Sequence, residues 1–252
     1  MGSQFDIRKP EYLESYDHFK DPASFKQITE VVGRYLKQKS LSSVRCLDSM
    51  AGTGLVGRRM KELFPEIKVV YQDGSKQMLS SNVYQDSDER VLSNAKALEL
   101  GDKSFDIVFC RAGLNNVKKE DYPKILAEYL RVLNDHGIVI LMDHFARTEG
   151  EKKIINQIET EVKKIEGIND ETYVPTAQEL RELIQRARGR VTNEKLSRAR
   201  FSMKERFMSK GIQQPDLSVI SEILKAQQAI EYEDTKEDIF ITYPITTVTI
   251  SK

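Results

Sequence analysis

The spacing of apolar residues changes several times along the chain. Residues 11–19 carry Tyr12, Tyr16 and Phe19. Residues 23–37 set Phe25, Ile28, Val32, Tyr35 and Leu36 on one helical face, so the N-terminal end is predicted to hold two short helices. The period then shortens. Residues 44–48 read as a strand, followed by a glycine-containing turn and a helix over 54–64. Residues 67–71 form a second strand, and a helix starts at 75–81. A weak third strand covers 91–92, and a strong fourth one, rich in β-branched and aromatic residues, covers 105–110. Residues 119–133 are amphipathic, with Ile125, Leu126, Tyr129, Leu130 and Leu133 apolar. Residues 137–142 are nearly all apolar, as a strand buried on both faces should be. Strands alternating with helices predict an α/β domain with a parallel sheet.

The C-terminal part is less regular. Helices are expected at 149–166 and at 176–188, the latter announced by Pro175 and Thr176. Residues 202–230 read as helical with a break near Gly211 and Pro215. Residues 238–251 are β-rich, with Pro244 marking a bulge, a bend or an edge position. The whole chain reads as one domain: an N-terminal helical lid at 1–40, a core at 41–148, and further helices and strands at 149–252.

Charge narrows the function classes. The 252 residues hold 39 Lys+Arg and 39 Asp+Glu, which argues against a generally basic nucleic-acid binder. The Arg/Lys-rich stretch 181–206 is matched by an acidic stretch at 231–238. The two read as solvated or mutually paired surface, with an anion-binding face as the alternative. No apolar run reaches the roughly 20 residues that span a bilayer, and no secretory apolar core is seen at the N-terminal end. Cys46 and Cys110 lie in apolar segments and read as reduced, buried thiols, not as a disulfide or metal pair. The expectation is a cytoplasmic protein without a membrane partner and without a metal site.

The chemistry-bearing segment is Asp48-Ser49-Met50-Ala51-Gly52-Thr53-Gly54, between a strand and a helix. Glycines let backbone N–H groups approach a ligand closely, and the helix start adds free N–H groups and partial positive charge. Asp48 stands at the carboxyl end of the first strand, where open α/β sheets bind ligands. Asp73 follows Gly54 by nineteen residues, a spacing that suits an acid taking ribose hydroxyls. Residues 52–57 also satisfy G-x-G-x-x-G, the dinucleotide pattern. Here, however, a carboxylate sits inside the turn. It would repel a pyrophosphate and attract a cationic amino-acid moiety.

These residues resemble the class I S-adenosylmethionine-dependent methyltransferases. The turn at 47–54 is similar to the motif that cradles the methionine part of the cofactor. Asp73-Gly74-Ser75-Lys76-Gln77-Met78-Leu79 resembles the D-x-S-x-x-M-L segment with its ribose acid. Asn94-Ala95-Lys96-Ala97-Leu98, followed by residues 104–108, looks like the adenine-contacting loop and fourth strand. Residues 128–133 with 135–137 resemble the E-x-x-R-V-L-x-P-G-G run. Met50 stands at the usual first-glycine position, so the turn must tolerate a side chain, and Asn94 stands where Asp is common. The amino-methyltransferase N/D-P-P-Y/F signature is absent, since residues 111–114 are Arg-Ala-Gly-Leu.

The resemblance implies a Rossmann-like, doubly wound sheet of seven strands, mostly parallel with an antiparallel C-terminal strand, plus an N-terminal helical lid and a helical insertion. It implies S-adenosyl-L-methionine as cofactor, held by Asp48, Met50, Ala51, Gly52, Gly54, Asp73, Gly74, Met78, Asn94, Ala95 and Arg111, with Tyr16 closing over it. His144, directly after the fifth strand, is the candidate general base, with Asp143 second. Strand alternation is expected to point Asp143 away from His144. The acceptor is expected to be a small molecule, and an anionic one if the basic stretch faces the pocket. The rival readings are an RNA or protein methyltransferase docking through 181–206, an NAD-type dehydrogenase, and a non-methylating protein that binds the same cofactor. Each site residue also has a plainer reading. Asp48 and Asp73 would then cap turns, Asn94 would serve turn chemistry, and His144 and Tyr16 would pack.

Overall fold

The computed structural model describes residues 22–39, 43–81, 83–168, 172–235 and 237–252. Helix α1 spans Pro22–Lys39 and buries Ile28, Val32, Tyr35 and Leu36, the face read from the sequence. The core then alternates: β1 Val44–Ser49, α2 Leu55–Leu63, β2 Ile67–Asp73, the single turn α3 Lys76–Leu79, β3 Glu89–Leu92, β4 Phe105–Arg111, α4 Tyr122–Val132 and β5 Leu133–Asp143. Next come α5 Glu149–Ile165, α6 Ala177–Arg186, β6 Arg190–Ser202, α7 Met203–Met208, α8 Ser218–Lys225, β7 Glu231–Asp234 and β8 Ile239–Ser251. Thr176 caps α6 in a capping box with Glu179, the start expected from Pro175 and Thr176.

The sheet is the expected mostly parallel one, and among the described residues it has eight strands, one more than expected. Its order is β3-β2-β1-β4-β5-β8-β6, with β7 alongside β8. Strands β1 to β5 pair in parallel, and β8 runs antiparallel to β5, β6 and β7. The eighth strand is β7, short enough to escape a periodicity reading. A second difference is β6, which occupies half of the basic stretch. Ala199 is the only one of its residues in the core. An edge strand studded with Arg and Lys is protected from pairing with other chains, and the same charges hide its alternation. The helix expected over 202–230 is two short helices, broken on either side of Gly211 and Pro215.

Pro244 lies where β8 changes partner. Residues 239–242 pair with β7 and residues 246–250 with β5, so Pro244 falls in the gap on that edge. A missing N–H costs least at such a place.

Several cations of the basic stretch are paired with carboxylates. Arg181 bonds Glu194, Lys195 bonds Glu30, Arg198 bonds Glu231 and Arg200 bonds Glu233. Two of these pairs, Arg198–Glu231 and Arg200–Glu233, join 181–206 to the acidic stretch. This pairing weakens the case for an anion-binding or RNA-docking face there.

Among the described residues no helix is long and apolar enough to cross a membrane. Nor do any three His, Cys, Asp or Glu residues among them stand together as a metal site. Cys46 and Cys110 are free and buried, and burial pushes the Cys110 thiol up to about 12.

Candidate active site

Parallel register brings the acidic strand ends together. Asp48 is level with Phe109 of β4, which is level with Ile140 of β5. Ser49 is level with Gln72, so Asp73 closes β2 just beyond Asp48. Arg111 ends β4 beside Met142, and Asp143 ends β5 one residue later. All four therefore stand at the carboxyl end of the sheet. The strand order reverses at β1, between β2 and β4, which is where doubly wound sheets open a crevice.

The turn after β1 is held by its neighbours. Gln72 accepts from the Ser49 hydroxyl at 2.6 Å and from the Met50 N–H at 3.3 Å, and donates to the Ser93 carbonyl at 2.6 Å. Met50 takes φ 53°, Gly52 56° and Gly54 71°. Met50 thus bears the left-handed conformation that the sequence motif leaves to glycine, and its side chain packs on Gly113. A Cβ on Gly54 would come within 2.6 Å of the Tyr84 ring, and one on Gly57 within 2.5 Å of the Tyr71 ring. These two glycines let α2 lie against the edge-on Tyr71–Tyr84 pair, whose centroids are 5.0 Å apart. The Tyr84 hydroxyl donates to the Gly52 carbonyl at 2.7 Å. Tyr84 and Gln72 thus shape the turn, yet neither stands out in the sequence. Tyr84 lies in a loop with no periodic signal, and Gln72 reads as one more strand residue.

The two acids have different surroundings. Asp48 is 2% exposed, and its Oδ2 accepts from the Gly57 N–H at 2.8 Å. Burial lifts its carboxyl to about 7. The Gly57 N–H opposes that rise, Asp73 adds to it, and Arg111 and Arg58 pull it back. Asp73 is 7% exposed and accepts from the Gly52 N–H and the Ser75 N–H, both at 2.8 Å. It therefore braces the turn and the start of α3 together.

The remaining candidates divide. Met78 and Ala95 are buried, and Gly74 and Asn94 are exposed. Asn94 Oδ1 accepts from the Lys96 N–H at 3.0 Å, the turn chemistry noted as its plainer reading. Ala51 donates its N–H to the Gln72 carbonyl at 2.9 Å, which fastens the turn to β2. The Arg111 guanidinium lies 4.8 Å from the Phe25 ring centroid, so the start of α1 reaches the strand ends. Tyr16 and His18 lie outside the described residues.

Asp143 and His144 are in contact, contrary to the expected alternation. The strand stops at Asp143, so its alternation does not extend to His144. Asp143 Oδ1 accepts from the His144 N–H at 2.9 Å and lies 3.2 Å from His144 Nδ1, while Oδ2 accepts from the Asn115 N–H at 3.1 Å. Burial raises the Asp143 carboxyl despite His144 and these two N–H groups. His144 is 4% exposed, and its Nε2 is buried without a hydrogen-bond partner. With Nδ1 directed at a carboxylate, the neutral ring carries its lone pair on Nε2.

Comparison with known proteins gives a family match, a curated relative and relatives in fold. Residues 47–141 match the family model described as a methyltransferase domain. The ubiquinone/menaquinone biosynthesis C-methyltransferase UbiE of Hahella chejuensis is 35% identical over 105 residues, which cover 38% of this chain and 41% of that protein. The chain thus spans less than half the length of this curated relative. In fold, the chain resembles the protein BH2331 of Bacillus halodurans C-125, with a TM-score of 0.70 at 15% identity over 86% of this chain and 96% of that one. It also resembles the YcgJ protein of Bacillus subtilis, with a TM-score of 0.67 at 16% identity over 89% and 98%.

Proposed function

We propose, from the premise that residues 47–141 form a class I S-adenosylmethionine-dependent methyltransferase domain, that the chain transfers a methyl group from S-adenosyl-L-methionine to an O, N or C nucleophile of a small molecule. The observation that carries this reading is Asp48. It is a buried carboxylate at the strand-order reversal, raised to about 7 by its burial. Such a site is costly to ionise on its own and suits a cationic ligand. S-adenosylmethionine brings an ammonium and a sulfonium to that place. A dinucleotide would bring a pyrophosphate, which Asp48 would repel.

The residues present fit the cofactor. Asp48 would take its amino group, and the turn through Met50, Ala51, Gly52 and Gly54 its amino-acid backbone. Asp73 would take the ribose hydroxyls, with Gly74 beside it. Met78, Asn94 and Ala95 would border the adenine, with Arg111 at the mouth and Tyr16 as part of a lid. The cofactor supplies an activated methyl group, and the protein supplies alignment and exclusion of water. His144 Nε2 would take a proton from an acceptor that arrives protonated, and Asp143 would hold the ring through Nδ1. UbiE is a C-methyltransferase, which puts a carbon nucleophile first among the three. The paired charges of 181–206 and 231–238 leave no observation that favours the RNA or protein reading.

The direct test incubates the protein with methyl-labelled S-adenosylmethionine and a small-molecule extract, and follows label by mass. Appearance of one labelled small molecule supports the reading. Label carried into RNA or protein, with none in small molecules, contradicts it.

A further inference from the structure

His144 faces more than Asp143. Its ring lies 5.2 Å from the Tyr243 ring of β8, tilted by 32°. The Tyr243 hydroxyl donates to Glu159 Oε1 of α5 at 3.2 Å. Glu159 in turn is gripped by both terminal nitrogens, Nη1 and Nη2, of the Arg206 guanidinium of α7, at 2.8 and 2.6 Å. Glu159 is 3% exposed. Burial works to raise its carboxyl, but Arg206 more than offsets that, helped by His144 and Lys210, and holds it at about 2. Behind the pair, Lys210 bonds Glu166. None of these residues falls within 47–141, so the network belongs to the part of the chain outside the family match.

A buried ion pair is expensive to assemble and contributes little stability against an apolar replacement. A buried imidazole nitrogen without a partner is a further cost. The two lie on either side of one tyrosine. Once Nε2 has taken a proton, the imidazolium lies beside Asp143 and within electrostatic reach of the fixed negative charge of Glu159. Arg206 keeps that charge in place, and the Tyr243 ring keeps it oriented to His144.

We propose that Glu159, clamped by Arg206 and Tyr243, is a positioning residue for His144, placed to favour the protonated ring during turnover. This rests on the reading of His144 as the base. The groups facing the ring are Asp143 from β5, Glu159 from α5 and Tyr243 from β8, with Arg206 from α7 behind Glu159. In the step itself the acceptor proton passes to Nε2. The electron pair it leaves forms the bond to the methyl carbon, and the carbon–sulfur pair returns to sulfur as a neutral thioether.

The test reads the ring directly. The chain has three histidines, His18, His136 and His144, so a His144→Gln variant assigns the His144 signal in labelled protein by NMR. In Glu159→Gln the midpoint of that signal's titration should fall by about one pH unit relative to the unsubstituted protein. If the single variant does not fold, the pair Glu159→Leu with Arg206→Leu leaves no unpaired buried charge and should shift the midpoint the same way by less. An unmoved midpoint in whichever folded variant is measured overturns the proposal. The measurement needs no turnover. A shifted midpoint in a protein that transfers no methyl upholds the network and removes the methyltransferase reading. Turnover with an unmoved midpoint does the reverse.

Discussion

Replacing Asp48 by Asn keeps the shape of the side chain and removes its charge. In the folded protein the Asp48 carboxyl is raised to about 7, chiefly by burial. If the cationic cofactor binds the ionised form, the ionised fraction limits affinity. That fraction is about a tenth at pH 6 and about nine tenths at pH 8, so the dissociation constant of S-adenosylhomocysteine should fall about tenfold across that range. Stability without ligand has the opposite sign. A folded value above the ordinary carboxylate one means that Asp48 favours the fold below about pH 4, and that this contribution is lost as pH rises through about 7. The ligand therefore gains affinity where the free protein loses stability.

In Asp48→Asn the pH dependence of binding should flatten. Affinity at pH 8 should drop by about 1.5–3 kcal/mol, the range for a hydrogen bond to a charged group. Isothermal titration calorimetry at pH 6, 7 and 8, in buffers of different ionisation enthalpy, measures both the affinity and the proton released on binding. A tenfold rise that persists in Asp48→Asn belongs to another titrating group and removes Asp48 as its cause. An affinity flat with pH in the unsubstituted protein would refute the assignment of Asp48.

Four further outcomes are expected. Asp73→Ala should weaken S-adenosylhomocysteine binding by about 1.5–3 kcal/mol, and an unchanged affinity in a folded variant would remove Asp73 from the site. Gly57→Ala should cost about 1–3 kcal/mol in denaturant unfolding, since its Cβ would press on the Tyr71 ring and Val69; an unchanged midpoint would show that α2 can shift. His144→Ala should lower kcat about 100-fold while leaving S-adenosylhomocysteine affinity nearly unchanged, and full turnover across pH 6–9 would make His144 a bystander. Deleting residues 1–20 should leave a folded domain that binds cofactor poorly, because the Phe25–Arg111 contact sets the start of α1 at the strand ends; normal binding and turnover would end the lid reading.

The parallel core was legible because its strands are apolar on both faces and its helices keep one apolar stripe. Residues 105–110 and 125–133 illustrate both patterns. Asp48 and Asp73 were legible because each ends such a strand. Strand β6 was hidden, since an exposed edge strand keeps its charges and shows little alternation. The contact of Asp143 with His144 was missed because alternation holds only while the strand continues, and β5 ends at Asp143. Glu159, Arg206 and Tyr243 come from three elements far apart in the chain. No local pattern ties a glutamate of α5 to a tyrosine of β8.

The central claim is that the strand ends of β1 and β2 are built for a nucleoside that carries an ammonium group and not for a dinucleotide. Calorimetric titration of the full chain at pH 8 with S-adenosylhomocysteine and, separately, with NAD tests it most directly. The account predicts saturable one-to-one binding of S-adenosylhomocysteine, weakened by Asp48→Asn, with no binding of NAD at the same concentrations. Binding of NAD in preference, or of neither ligand by a folded protein, would contradict it.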